Sequence, residues 1–229
     1  MTVTLPPSPE NTPLLQQYRE VKSRHRDAIL FFRMGDFYEM FFEDAELASR
    51  VLSIALTSRG DGVPLAGVPV KAAADYLKQL VAQGHRVAIC EQVEDPRQAK
   101  GLVRREVVET VTPGTLLEDG WVAGGRNNWI VSVGKRGSGE EGKGEEAGIA
   151  AIDLTTGEFL LETVSGGEEG LAEALGRLRP TEVVIPSETE SPADPEVLCT
   201  RRERWEFDSD LAGPELARRF GLASIDGLG

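Results

Sequence analysis

The chain has 229 residues, room for two ordinary domains, and its 40% hydrophobic and 28% charged residues are the balance of a soluble globular protein. Its net charge of −13 excludes a uniformly basic nucleic-acid scaffold. The charge is uneven, however: residues 1–115 hold 14 Lys/Arg against 15 Asp/Glu, and residues 116–229 hold 11 against 23, so the first half can touch a polyanion without gripping it strongly. Residues 1–12 are polar, carry prolines and lack the basic and apolar regions of a secretory signal, so they read as a disordered lead-in. Thr12-Pro13 then opens a helical pattern, with Leu14, Leu15, Tyr18, Val21 and His25 at three- and four-residue spacing. Residues 28–33 read as a buried strand. Asp36 looks like an N-cap with Glu39 three residues on, as in a capping box, and Tyr38, Phe41, Phe42, Ala45, Ala48, Val51 and Leu52 then read as the apolar face of a helix.

Residues 53–57 and 64–68 read as short extended pieces on either side of the turn at 59–62. A helix over 72–82 ends at Gly84, and strands are expected at 86–92 and 107–111 with a break at Asp95-Pro96 between them. The second half begins near 116. Strands are expected at 129–133 and 148–154, with a Gly/Lys/Glu-rich mobile loop at 134–146 between them. Thr156-Gly157 turns the chain into a hairpin partner at 158–164. A helix over 171–178, a strand at 182–185, a loop at 186–196, a strand at 204–207 and a helix at 214–220 complete the pattern. The fold class is α/β in two domains, a mixed α/β sheet domain at 13–115 and a second α/β domain at 116–229. The chain stops at Gly229 without a closing element, which reads as a piece of a larger protein.

No run of about 18 apolar residues is present, so no membrane span is expected. Cys90, in the apolar run 87–90, reads as a small buried hydrophobe, and Cys90 and Cys199 make no disulfide framework, which points to a reducing cytoplasm. His25 and His85 are isolated, so no zinc site is expected.

The most informative segment is Met34-Gly35-Asp36-Phe37-Tyr38-Glu39. A Phe beside a Gly-Asp break can wedge between stacked bases, and a Glu two residues on can hydrogen-bond a base edge. Four blocks, Phe31 to Glu39, Leu65 to Pro69, Val87 to Gln92 and Val111 to Thr115, resemble the MutS family of DNA mismatch repair proteins in order and spacing. The stretch Ala151 to Phe159 is similar to that family's connector domain, which implies an RNase H-like fold there. One departure is Val70 and Lys71, where the family commonly has an aromatic residue and a histidine.

The resemblance implies that Phe37 enters from the minor groove and stacks on a mispaired base. It implies that Glu39, once protonated, bonds an exposed base acceptor, that Arg59 and Arg105 contact DNA nearby, and that Met34 and Asp36 shape the tip. It also implies a mismatched-duplex ligand, an ATP- and magnesium-dependent homodimer for the whole protein, and a MutL-type partner on the connector. No cofactor, metal or catalytic residue is expected within this stretch itself. The plainer reading of Phe37 is a core ring, that of Glu39 a cap, and that of the arginines solvated surface. Rival functions are a MutS-like binder of branched DNA, which would generally lack the Phe-x-Glu block, and an RNase H-type nuclease using Asp153. A P-loop at Gly137–Gly144 fails because Gly144 stands where the magnesium-binding Ser or Thr belongs.

Overall fold

The computed structural model describes residues 12–59, 62–94, 101–116, 127–135 and 146–225. The chain divides into two compact units, Met1–Pro113 and Gly114–Gly229. The P-loop-like stretch, the lead-in at 1–11 and the Asp95-Pro96 break fall outside the described residues.

In the first unit, α1 (Pro13–Arg24) starts where Thr12 caps it, the hydroxyl accepting from Leu15 N at 3.4 Å with Pro13 at the first helical position. The sheet contains β1 (Ala28–Met34), β2 (Phe37–Phe41), β3 (Thr57–Arg59), β4 (Val63–Pro69), β5 (Arg86–Gln92) and β6 (Arg105–Val111) in the order β3-β4-β2-β1-β5-β6. α2 (Phe42–Leu52) follows β2, and α3 (Ala73–Ala82) follows a short 3-10 turn at Val70–Ala72.

Side chains alternate across the strands, so the sheet has two separately packed faces. One face sets Leu30, Phe32, Phe41, Ala88 and Cys90 against Leu15, Tyr18 and Val21 of α1. α2 and α3 pack on the other, where Phe31, Met40, Ala66 and Val68 are buried. Burial pushes the Cys90 thiol up to about 12, so it acts as an inert core residue.

The helix expected from Asp36 is overturned in its first half. Residues 37–41 form β2, and the helix begins only at Phe42. β2 is central and carries apolar residues on both sides, Phe37 and Phe41 on one and Tyr38 and Met40 on the other, so Tyr38, Phe41 and Phe42 imitate a helical stripe although they lie on different elements and faces. Asp36 is a hairpin-turn residue and caps no helix. Phe42 makes the strand-to-helix bend with a left-handed backbone, φ +55°. The short strand also shifts: Ser53 is the left-handed residue that ends α2, and the pairing residues are Thr57–Arg59.

Asp44, buried at the start of α2, joins three elements. Its carboxylate accepts from Tyr18 Oη at 2.8 Å and Leu30 N at 3.0 Å, and pairs with Lys22 Nζ at 2.7 Å. Phe41 N donates back to Tyr18 Oη at 3.3 Å. This buried knot holds α1, β1 and the β2–α2 bend in one geometry.

The second unit has a five-stranded sheet. Its strands are β7 (Trp129–Lys135), β8 (Glu146–Asp153), β9 (Glu158–Ser165), β10 (Glu182–Pro186) and β11 (Leu198–Arg202), in the order β11-β10-β7-β8-β9. β7, β8 and β9 pair antiparallel, while β10 runs parallel to both β7 and β11. Three meandering strands extended on one side by two parallel ones meet the RNase H-like α/β expectation. α4 (Gly167–Leu178) covers one face through Leu171, Ala174 and Leu175. α5 (Ser209–Phe220) is capped by Asp208. The strand expected at 204–207 is instead a 3-10 turn held by a reciprocal Glu203–Glu206 capping box, and the strand lies upstream as β11.

Candidate nucleic-acid interface

The first unit's candidate site is the end of a sheet face that runs past its helix. Phe32, Glu39 and Gly67 are register neighbours, as are Met34, Phe37 and Pro69. Phe32 and Phe41 lie beneath α1, but Phe37 and Glu39, on the same side of β2, lie beyond it. Arg59, opposite Val63, and Arg105, opposite Gln92, bring two guanidinium groups to this end.

Phe37 begins β2 directly after the Gly35-Asp36 turn, with Gly35 left-handed at φ +59°, and it is 46% exposed. The plain reading of this ring as core is thus excluded. Its mounting is fixed from behind. Arg33 Nε donates to Gly35 O at 2.6 Å, and Val70 N donates to Asp36 O at 2.9 Å. Tyr38, on the opposite face, stacks on Phe31 with ring centroids 5.6 Å apart and donates to Glu91, which pairs with Arg33 at 3.4 Å. Val70 and Lys71 flank the hairpin tip through this 3-10 turn, and Lys71 is exposed.

Glu39 is half-buried. Its Oε2 is sealed from solvent and has no hydrogen-bond partner, the only such side-chain atom among the described residues. A buried acceptor left unmade costs about 1–3 kcal/mol, so this atom awaits a donor or a proton. Burial raises the carboxyl pKa above its ordinary value, while the charges of Arg59 and Arg105 oppose that rise. The nearest charge is Arg59 Nη1, 3.7 Å from Oε2.

The two arginines differ in kind. Arg59 is exposed, and its Nη1 also reaches Met34 Sδ at 3.9 Å, a weak contact. Arg105, expected at the DNA surface, is 7% exposed. It donates to Arg33 O at 2.6 Å, Val103 O at 2.9 Å and Gln17 Oε1 at 3.0 Å, and lies over the Phe32 ring at 4.9 Å. Its Nε and Nη1 are thus committed within the unit, and its charge bears on Glu39 from the protein side. Its burial was not readable from Arg104-Arg105, since either could have faced inward.

In the second unit, Asp153 is fully buried. Oδ1 accepts from Thr155 N at 2.8 Å and Thr155 Oγ1 at 2.6 Å, and Oδ2 accepts from Asn128 N at 3.1 Å. Burial alone would raise its pKa, but these hydrogen bonds, with one from Thr156 N, hold it below the ordinary value. The carboxylate is used up in organising the β8–β9 turn, which removes the anchor of the nuclease reading. Among the described residues no group of three or more His, Cys, Asp or Glu is placed to hold a metal ion. Nor is any helix there long and apolar enough to cross a membrane.

A family model described as MutS domain I matches residues 12–120, and one described as MutS domain II matches residues 128–229. The chain is 44% identical to the DNA mismatch repair protein MutS of Desulfosudis oleivorans and to that of Rhodopseudomonas palustris, each over 95% of this chain and 25% of the relative. The protein of the same name from Methanosarcina barkeri is 41% identical over 95% of this chain and 26% of its own length. The chain thus spans about a quarter of the length of the curated relatives it matches.

Proposed function

The chain belongs to the MutS family, and on that basis we propose that its first unit reads mispaired or unpaired bases in duplex DNA, with Phe37 as the wedge and Glu39 as the base contact. The observation that carries this is the pairing of an exposed ring with a half-buried carboxyl one strand repeat away, beyond the reach of α1. Separating a base step costs on the order of a few kcal/mol, and less where pairing is already faulty. Stacking a base on an aromatic ring returns about 1–3 kcal/mol. Insertion is then favourable at a mispair and marginal at a matched pair, so the lesion is sensed as softness, with no sequence read.

Glu39 supplies the second test. As a carboxylate it repels phosphates and cannot donate to a base acceptor; protonated, it can. Mispair binding is therefore accompanied by proton uptake. The sign follows. DNA raises the pKa further, so affinity for mispaired duplex falls as pH rises between the carboxyl's pKa in the free protein and its pKa in the complex, by up to about tenfold per pH unit. Glu39→Gln, whose amide donates at any pH, should flatten this dependence, and it should reduce discrimination more than affinity. Paired titrations of mispaired and fully paired duplex across neutral pH check both outcomes, and a wild-type profile without slope would sink the proton role.

Met34 and Asp36 shape the tip, and Arg59 and Lys71 face the backbone. The second unit acts as connector: its acidic balance suits a protein surface, here a MutL-type partner, better than DNA. The whole protein is a cytoplasmic, ATP- and magnesium-dependent homodimer in which one subunit's Phe37 enters the lesion. Its nucleotide chemistry belongs to regions outside this chain, and this stretch catalyses nothing by itself. Its near-neutral first half supports weak, salt-sensitive DNA binding by the two units alone.

A further inference from the structure

We propose that Arg59 is a specificity-determining residue that leaves Glu39 for a backbone phosphate as duplex DNA arrives, so that one guanidinium couples backbone grip to base reading. This rests on the reading of Glu39 as a base contact and adds what controls it.

Glu39 Oε2 is sealed and unbonded, and Arg59 Nη1 stands 3.7 Å away, too far for a hydrogen bond and close enough for strong attraction. The charged groups that bear on this carboxyl are Arg59 from β3 and Arg105 from β6. β1 and β4 present Phe32 and Gly67 as its register neighbours, and neither carries charge.

The two cations are not equivalent. Arg105 is buried and hydrogen-bonded to Arg33 O, Val103 O and Gln17, so leaving its place costs three bonds. Among the described residues, the Arg59 guanidinium meets Met34 Sδ at 3.9 Å and the long Glu39 contact, and its side chain is 46% exposed. Phosphate oxygens, which accept bidentate hydrogen bonds from a guanidinium, are the better partner. As Arg59 swings to a phosphate, Glu39 loses its nearest compensating charge and gains a negative neighbour. The carboxylate then takes one proton from solvent, and no other bond changes. A donor is thereby produced at the moment a duplex is in place. Before contact, the Arg59 charge opposes the rise that burial imposes on the Glu39 carboxyl.

The test uses the full-length protein that carries this chain, with a short duplex bearing one central mispair and its fully paired counterpart. Proton uptake is read by titration calorimetry in two buffers of different ionisation enthalpy, together with affinity as a function of pH and salt. Wild type should take up as much as one proton per bound mispair, and Glu39→Gln should take up none. In Arg59→Ala the free carboxyl has lost its nearest opposing charge, so it should take its proton at a higher pH than in wild type. Uptake near neutral pH should shrink by half or more, the low-pH plateau of affinity should extend to higher pH, and the salt slope should fall by about one. Arg59→Lys should restore most of the uptake. If Arg59→Ala weakens both duplexes equally and leaves uptake and plateau unchanged, Arg59 is an ordinary phosphate contact and the coupling is overturned, while the Glu39 reading stands. If wild type takes up no proton, both fall.

Discussion

Replacing Phe37 with Ala should abolish the preference for mispaired over matched duplex while leaving affinity for matched duplex nearly unchanged. The exposed ring contributes little to the unit's own stability, since it is 46% exposed and stands beyond the ground covered by α1. What the substitution removes is the stacking partner offered to a displaced base, about 1–3 kcal/mol, or roughly 5- to 150-fold in relative affinity. Phe37→Tyr, which keeps the ring, should retain most of the preference. The measurement is a competition titration of the full-length protein with the two duplexes. A Phe37→Ala protein that still prefers the mispair would show that discrimination resides elsewhere. Unfolding should be followed in parallel, because a large loss of stability would mean that the ring supports the hairpin.

The largest stability effect is expected at Asp44. Asp44→Ala removes the shared acceptor of Tyr18 Oη and Leu30 N and the counter-charge of Lys22. Removing one partner from a buried polar set is destabilising by about 3–5 kcal/mol. Lys22 retains some access to water, its side chain being 25% exposed, so the lower end applies. A drop of about 3 kcal/mol corresponds to on the order of 10 °C in melting temperature for a unit of this size. Urea denaturation would reveal it as a shift in midpoint at constant slope. A change below about 1 kcal/mol would show that the buried cluster specifies geometry without stabilising the unit. Because the same residue holds the β2–α2 bend, Asp44→Ala should also loosen the strand that carries Phe37 and Glu39.

Much of this architecture is legible in the residues. α1 is announced by Thr12-Pro13 and a clean three-four spacing, and its basic last turn agrees with its observed end. β1 and β5 are continuous apolar runs, as buried parallel neighbours should be. The hairpin of β8 and β9 is marked by Thr156-Gly157. β2 was not legible, because a short central strand with apolar residues on both sides shows no alternation, and Asp36 with Glu39 supplies a false cap. β11 escaped because its half-exposed residues, Leu198 to Arg202, carry little apolar signal at a sheet edge. At the site, Phe37 is exposed, as a wedge requires, while the proximity of Arg59 to Glu39 emerges only from the pairing of β3, β4 and β2. The burial of Arg105 depends on β6 pairing with β5 and could not be read locally. The loneliness of Glu39 Oε2 is likewise a property of packing, visible only when β1, β2 and β4 are side by side.

The hairpin that bears Phe37 is tied down at Gly35, Asp36 and Tyr38 before any ligand arrives. A probe mounted so stiffly gives up almost no conformational entropy on entry, so the yielding must come from the double helix. Recognition strength should then track the pliability of the steps beside the lesion: the same mispair flanked by TA or CA steps should be held more tightly than one set within an A-tract.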